Sequence, residues 1–312
     1  RLVERGQKNI ALYLDQSVNL DLSDIEQTTA TIVSAYEERA LAERFSGLKN
    51  RVRHVTTIHC CPGKDNYQEL SETVQSALKL GRKIGQISVN TRARFSNSWA
   101  TNLIINMPKM AKLSQLADIK VEGAENAIVV APGPSLEKNI HFLRDHQEQF
   151  FITAPLRAAG VLEKHGIRPD LLFQIDALSE SEAAHFRANM PKNIENLALE
   201  GSVNPVFFEL ETKNTAWTVI QKIDDFHKLF KSKPTTFRAP SVAMYAACYC
   251  YALGFKSICL LGQDLATDGR TLYADGATKY LAPGGSLEGF SISVPGFWGE
   301  AVMTRDDFAY YL

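Results

Sequence analysis

The sequence lacks the cysteine and charge patterns that mark several specialised classes of protein. Its 312 residues include five cysteines, with one adjacent and one alternate pair, and this spacing fits neither a disulfide framework nor a CxxC zinc site. The formal net charge of -1 provides no overall attraction for nucleic acid or an anionic membrane surface. No signal-peptide pattern stands at its start. We therefore expect a cytoplasmic protein with reduced thiols and no nucleic acid partner.

Established catalytic motifs are absent as well. The sequence contains no HExxH, no GxSxG elbow, no DxD pair and no GK[ST] phosphate loop. These absences exclude the usual hydrolase, metal-dependent sugar-transferase and P-loop patterns. The histidines show no metal-ligand spacing, so the sequence predicts no metal site.

A continuous membrane-spanning run is also missing. The most apolar stretch, Ser241 to Gly262, is interrupted at Gly254 after about a dozen residues, whereas a spanning helix needs about twenty. We expect a buried helix that ends at Gly254 as its C-cap, followed by a buried strand.

The sequence pattern divides the chain into three parts. Residues 1–62 indicate a small α/β unit, with strands at "NIALYLD" and "RVRHVTTIHC" around a long segment with acidic polar positions. Residues 63–120 indicate a helical connector, and residues 121–312 a larger domain. The connector carries apolar residues at helical spacing that we expect to pack: Trp99, Leu103, Ile104, Met107 and Met110. Because the chain starts at Arg1 and stops as a helical pattern begins, we expect a fragment with a truncated C-terminal helical part.

The larger domain alternates short apolar strands with helical segments, which predicts an α/β fold. We expect a Rossmann-like, mostly parallel sheet with helices on both faces. The predicted strands are 127–131, 150–154, 171–175, 197–201 and 257–261, and helices begin near Leu136, Pro155, Ser179 and Ser241. Ligands of such sheets bind at the carboxyl ends of the strands, which here read "APGPSL", "TAPLR", "QIDALSE" and "LLGQDLATDG".

The first strand exit suits either a phosphate or a plain turn. Gly133 permits a close approach of the backbone to a ligand, and Ser135 is a good N-cap. The amides from Leu136 onward would then point out of the positive end of a helix. A capped strand-to-helix turn explains the same residues, and both interpretations stay open at this point.

Two other exits carry carboxylates. Asp176 ends the third predicted strand, where it could bind a ribose or a metal or could cap the next helix. Gln263 and Asp264 follow Gly262 and lead into a long loop that ends near Glu300 and shows no clear secondary structure. Loops of this length are usually functional, and we interpret it as an acceptor-side lid.

Taken in order, these motifs resemble those of the motility accessory factor (Maf) family of flagellin glycosyltransferases, whose central domain is related to MptE-like pterin diphosphokinases. The resemblance spans residues 102–312 and rests on "VVAPGPSLEKNI", "FFITAPLRAAGVLEKHGIRPDLLFQIDA", "LLGQDLATDGRTLYADGA" and "VPGFWGEAVMTRDDF". It implies a bacterial enzyme that supports motility by moving a nonulosonic acid, of the pseudaminic or legionaminic type, from a CMP-activated donor to Ser or Thr of flagellin. No cofactor is then required beyond the CMP-sugar donor, although Mg is compatible.

The segment from Arg238 to Leu265 is similar to one in the Campylobacter-type bacterial sialyltransferases. That likeness implies that the Gly-Pro-Ser corner and the helix start at Ser241 face the cytidine monophosphate. Those enzymes use a histidine beyond this segment, but residues 263–312 contain none. The candidate catalytic residues are then Asp176 and Asp264, with a carboxylate from the missing C-terminal part as a further alternative. The predicted donor-site residues are Gly133, Pro134, Ser135, Leu136, Pro155, Arg238, Ser241, Gly262 and Gln263.

Two alternatives remain. A pterin diphosphokinase would use the same corner and would need Mg held by Asp176 and Asp264. A non-catalytic nucleotide-binding domain would explain why no base is evident.

Overall fold

The computed structural model describes residues 67–119, 121, 125–191, 194–218, 239, 241–267, 269–278, 287, 289–305 and 308–309, together with 11–13, 31–33 and 42. The chain forms two compact units, residues 1–94 and 95–312. Their boundary falls inside one long helix, whereas the sequence pattern places boundaries after residues 62 and 120.

In the first unit, β1 (Ala11–Tyr13) pairs in parallel with β2 (Thr31–Val33). Strand β1 lies within the predicted "NIALYLD". Strand β2 falls in the segment between the two predicted strands, where we expected none, because three consecutive β-branched residues favour extended backbone. The predicted strand "RVRHVTTIHC" lies outside the described residues.

The long helix α1 (Tyr67–Met110) contributes its last turns to the second unit. Leu103 and Met110 are buried, as predicted, and contact the backbone at Gly201. The prediction that Ile104 packs is wrong, because 68% of it is exposed. Consecutive helical residues point about 100° apart, so Ile104 is turned away from the face that Leu103 buries.

A seven-stranded sheet forms the centre of the second unit. Its order is β3-β8-β7-β6-β5-β4-β9, and every pairing within it is parallel. The strands are β3 (Ser114–Gln115), β4 (Asn126–Val130), β5 (Phe151–Pro155), β6 (Leu171–Gln174), β7 (Ile194–Glu200), β8 (Thr212–Thr218) and β9 (Ser257–Leu261). This confirms the predicted α/β, Rossmann-like fold and its five strands, while β3 and β8 are additional.

Helices cover both faces of the sheet, as predicted. Alternate residues of β4 point into two separate cores, Ile128 and Val130 into one and Ala127 and Val129 into the other. On the first face lie α2 (Leu136–His146), α3 (Ala159–Lys164) and α4 (Glu180–Ala188). On the second face lies α5 (Val242–Leu253).

The predicted ends of α5 are confirmed. The Ser241 hydroxyl accepts a hydrogen bond from the amide of Met244, and Gly254 ends the helix with φ = 87°, a conformation that glycine adopts without strain. The strand that follows, β9, is not buried as we expected, because β4 is its only neighbour among the described strands. Leu260 is 45% exposed as a result.

The long segment after β9 contains a hairpin, contrary to the expectation of a loop without secondary structure. Strands β10 (Ile292–Pro295) and β11 (Ala301–Thr304) pair antiparallel. Thr267 and Met303 exchange backbone hydrogen bonds of 2.8 Å in both directions, which ties the hairpin to the exit of β9. Across the described part of the chain, no helix has the length and apolar character to span a bilayer.

We predict that Asn106→Ala lowers the free energy of unfolding by about 2 kcal/mol. The buried Asn106 side chain donates to the carbonyl oxygens of Gly201 (3.0 Å) and Val203 (2.8 Å), which would lose their partner. Urea unfolding measures the change. Ile104→Ala, on the exposed side of the same helix, serves as the control and should change stability little. Equal losses of stability in the two variants would contradict a stabilising role for the Asn106 hydrogen bonds.

Candidate functional site

The order of the strands places a crevice between β4 and β9. The chain leaves β4 toward α2 on one face of the sheet and reaches β9 from α5 on the other face. In parallel α/β sheets, ligands bind at such a switch point, outside the carboxyl ends of the strands. The corner at Pro132–Ser135 and the residues after Gly262 both lie there.

The Gly-Pro-Ser corner packs against the exit of β9. The Gly133 amide donates to the Gly262 carbonyl oxygen at 3.0 Å. A Cβ atom on Gly133 would lie 2.5 Å from Asp264 Oδ2 and still closer to the Gly262 oxygen. Any side chain at Gly133 would therefore collide with Gly262 and Asp264, so contact with the protein itself already requires glycine here.

The carboxylate of Asp264 occupies the N-terminal end of α2. Its Oδ2 accepts the Ser135 amide hydrogen at 2.6 Å, and its Oδ1 accepts the Ser135 hydroxyl hydrogen. The prediction that Ser135 caps α2 is wrong, because its side chain accepts no helical amide hydrogen. The amides of Leu136 and Lys138 donate to Gly133 and Ser135 carbonyl oxygens, so they are not free to bind a phosphate as predicted.

Backbone strain accompanies this arrangement. Leu265, which follows Asp264, has φ = 49° and is the one residue other than glycine with positive φ among those described. Such a conformation costs about 1–3 kcal/mol and is commonly found at functional sites.

The neighbouring residue Gln263 contacts the start of α5. Its side-chain amide donates to the Ser241 hydroxyl at 3.4 Å. Two consecutive residues thus contact two helix starts, Gln263 that of α5 and Asp264 that of α2. The two starts differ in charge, because the first turn of α2 carries Glu137 whereas that of α5 carries no acidic residue.

The remaining predicted donor-site residues line the same edge less directly. Pro155 ends β5 and is buried, Leu136 is fully buried, and Pro134 is half-buried. Gly262 has φ = 70° and packs on the Ala131 carbonyl oxygen. Arg238 lies outside the described residues, so its predicted role in the nucleotide pocket stays a prediction.

Asp176 stands at the exit of β6, two strands away along the sheet from β4. It does not cap α4, since Ser179 and Glu182 form a reciprocal capping box there. Although Asp176 is solvent-accessible, surrounding protein desolvates its carboxyl group and raises its pKa, while the positive charge of Arg157 opposes this and Glu182 reinforces it. An accessible carboxyl group crowded in this way is suited to accept a proton.

Arg157 is a buried residue of this edge that sequence reasoning did not single out. It follows β5 in "TAPLR", is 9% exposed, and donates from Nη1 to the Thr278 carbonyl oxygen at 2.5 Å. The rings of Phe186 and Tyr273 each lie 5.1 Å from its guanidinium. The available signal was an arginine placed directly after a buried strand, because a buried cation requires compensating partners.

Residues 273–278 cover the exits of β4 and β5. The Ala274 amide donates to the Pro132 carbonyl oxygen (2.9 Å) and the Asp275 amide to Glu137 Oε1 (3.0 Å). At the far end, the Thr278 amide donates to the Arg157 carbonyl oxygen at 3.2 Å. The segment therefore forms a cover fixed at three points.

No cluster of three or more metal-ligating His, Cys, Asp or Glu side chains occurs within the part of the chain that the structure describes. A groove of about 1070 Å³ lies at the opposite end of the sheet, around Arg168, Asp170 and Lys213. We assign the site to the carboxyl edge instead, because parallel sheets place their ligands there.

Comparisons with known proteins give a family and a fold. Residues 101–270 match the model of the family described as 6-hydroxymethylpterin diphosphokinase MptE-like. An uncharacterized protein of Treponema pallidum (strain Nichols) is 29% identical over 119 residues, 38% of this chain and 54% of that protein. The structure of the Maf glycosyltransferase from Magnetospirillum magneticum AMB-1 aligns with a TM-score of 0.58 and 14% identity, over 94% of this chain and 45% of that one. The chain thus spans about half the length of each.

We predict that Asp264→Ala lowers the free energy of unfolding by about 1–3 kcal/mol, because it removes a charged acceptor from the end of α2. Ser135→Ala, which removes only the hydroxyl donor, should cost less. Urea unfolding of both variants tests the order, and a parent-like stability for Asp264→Ala would refute this role.

A second prediction concerns pH. The raised pKa of Asp176 means that its ionised form destabilises the fold, so its favourable contribution is complete below the unfolded value of about 3.9 and is lost as the pH rises through the folded pKa. Asp176→Asn should therefore stabilise the protein at pH 7 and have no effect in acid. Thermal unfolding across pH measures this.

The control for that experiment is Asp145→Asn. The pKa of Asp145 is lowered by its hydrogen bond to Arg144, so its replacement should bring no gain at pH 7. If Asp176→Asn is equally without effect there, the carboxyl group is not strained by its surroundings.

Proposed function

The chain belongs to the 6-hydroxymethylpterin diphosphokinase MptE-like family, and we propose that it acts as a glycosyltransferase on a nucleotide-activated sugar. One observation carries the proposal: at the β4/β9 switch point, the start of α5 has no acidic residue in its first turn and presents Ser241 beside Gln263. Such a site suits a donor with an anionic leaving group. The fold shared with a Maf glycosyltransferase supports the same conclusion.

The leaving phosphate belongs at the start of α5 rather than at that of α2. The positive end of α2 already faces Asp264 and Glu137, which would repel a phosphate. The first turn of α5 has no acidic residue, and its start presents Ser241 and Gln263. The positive helix end and these two side chains would stabilise the charge that develops on the departing group.

The donor class follows from the resemblance of the strand exits to those of Maf proteins. We propose a CMP-activated nonulosonic acid as donor, a Ser or Thr hydroxyl of flagellin as acceptor, and the cytoplasm as the location. The Cys248, Cys250 and Cys259 thiols are unpaired, as expected of that compartment. No cofactor enters this scheme.

Asp176 serves as the base. The acceptor oxygen attacks the anomeric carbon, the bond from that carbon to the phosphate oxygen breaks with its electron pair leaving on the phosphate, and the hydroxyl proton passes to the Asp176 carboxylate. Asp264 is less suited, because both of its oxygens accept hydrogen bonds from Ser135. The raised pKa of Asp176 makes it a stronger base near neutral pH.

The family description favours a second candidate, a pterin diphosphokinase. That reaction needs Mg beside the phosphates, and the sequence offers Asp176 and Asp264 as its ligands. The Asp264 carboxylate is bound to Ser135, and the described residues offer no third His, Cys, Asp or Glu to complete a metal cluster. The observed arrangement therefore fits a metal site poorly.

Calorimetric titration separates the candidates. We expect CMP to bind without Mg, and Gln263→Ala to weaken its affinity about tenfold through loss of a polar contact. Gln149→Ala, exposed beyond the end of α2, is the matched control. Binding of ATP that requires Mg, with CMP silent, would establish the kinase instead.

The transfer itself is measured by the intact mass of flagellin incubated with the protein and a CMP-nonulosonic acid. We expect added sugar mass, with Asp176→Asn reducing the rate about 10²-fold to 10⁴-fold. CMP binding without any mass change would indicate a nucleotide-binding domain without catalysis.

A further inference from the structure

Arg157 contacts residues 273–278, the cover segment that lies over the exits of β4 and β5. It sits in a short 3-10 turn, Leu156–Ala158, directly after β5. Its main chain and its side chain both bond to Thr278, the carbonyl oxygen of Arg157 accepting from the Thr278 amide and Nη1 donating to the Thr278 carbonyl oxygen. Two backbone-directed contacts to one residue fix the end of the cover segment.

The guanidinium is also held in orientation by two rings. Phe186 projects from α4, which begins just after the β6 exit, and Tyr273 comes from the cover segment itself. The centre of each ring lies 5.1 Å from the Arg157 guanidinium. The two rings stabilise the buried cation through cation–π attraction. Arg157 therefore connects three consecutive parts of the carboxyl edge: the β5 exit, the β6 exit and residues 273–278.

Packing behind Arg157 leaves the cover segment little freedom. A Cβ atom on Gly160, in the helix that follows Arg157, would collide with the carbonyl oxygen of Gly276. The backbones of α3 and the cover segment thus approach closely, and the Lys164 ammonium pairs with Asp275 at 2.6 Å. The position of Arg157 is determined by surrounding backbone as well as by side chains.

We propose that Arg157 is a positioning residue of the site, whose guanidinium both fixes residues 273–278 over the carboxyl edge and offsets the negative charge of Asp176. This inference rests on the proposed function, in which Asp176 accepts the acceptor's proton. The charged groups that act on Asp176 are Arg157, from the turn after β5, and Glu182, from α4. They have opposite signs, and Arg157 follows β5, which pairs directly with the strand β6 that precedes Asp176, so Arg157 is the group that opposes the rise in the pKa of the Asp176 carboxyl.

Two substitutions separate the two roles. Arg157→Met removes the charge and the hydrogen bond, so the pKa of Asp176 should rise and the amides of residues 273–278 should exchange with solvent about fivefold faster, the factor for one lost hydrogen bond. Arg157→Lys keeps the charge but loses the planar donor geometry. It should speed amide exchange and leave the titration of Asp176 near that of the parent.

The measurements are a carbon-13 NMR titration of the Asp176 carboxyl, assigned with Asp176→Asn, and hydrogen exchange of residues 273–278 followed by mass spectrometry. Arg168→Met is the control, since Arg168 is an exposed arginine at the opposite end of the sheet. It should alter neither readout. In the transfer assay, the acid limb of the pH profile should move to higher pH in Arg157→Met alone.

An unchanged Asp176 titration in folded Arg157→Met, or the same shift in Arg168→Met, overturns the proposal. If Arg157→Met does not fold, Arg157→Lys decides: parent-like exchange of residues 273–278 refutes the coupling. Neither readout needs enzymatic activity. Absence of transfer by the parent protein would refute the glycosyltransferase assignment and would leave the Arg157 result unaffected.

Discussion

The hydrogen bonds from Ser135 to the Asp264 carboxylate are the interaction on which the carboxyl edge depends. They hold the exit of β9 against the exit of β4, and this close approach requires glycine at position 133. Fixing Asp264 also places Gln263 at the start of α5 and directs the following chain back across the edge. A carboxylate at the positive end of a helix is a favourable electrostatic pairing, which makes this anchor stable without a ligand.

Around that anchor, the carboxyl edge contains groups whose conformation or burial costs folding free energy. Leu265 adopts a left-handed backbone conformation, Asp176 is crowded by protein, which raises its pKa, and Arg157 is a nearly buried cation. The Arg157 cation is compensated locally by Thr278 and two rings. Strain gathered at one end of a sheet is typical of functional sites.

Much of the fold could be predicted from local sequence. Five strands and both ends of α5 followed from apolar runs, Ser241 and Gly254, because burial and capping act over a few residues. Strand β8 was missed since its first half is polar and partly exposed, and β3 since two residues carry no pattern. The exposure of β9 could not be predicted either, because it depends on which strands pair with β9, and among the described strands only β4 does.

The sequence by itself determined that the chain forms a mostly parallel α/β sheet, because short apolar strands alternate with helical segments, and it predicted a site at the strand exits, where such sheets bind their ligands. Only the tertiary structure decided how those exits are used. Ser135 meets Asp264 across 129 residues and Arg157 meets Thr278 across 121, and no local pattern encodes such pairs. The corner that suited a phosphate holds a carboxylate of its own chain, because the packing of β9 beside β4 brings Asp264 to the amide that a ligand would need.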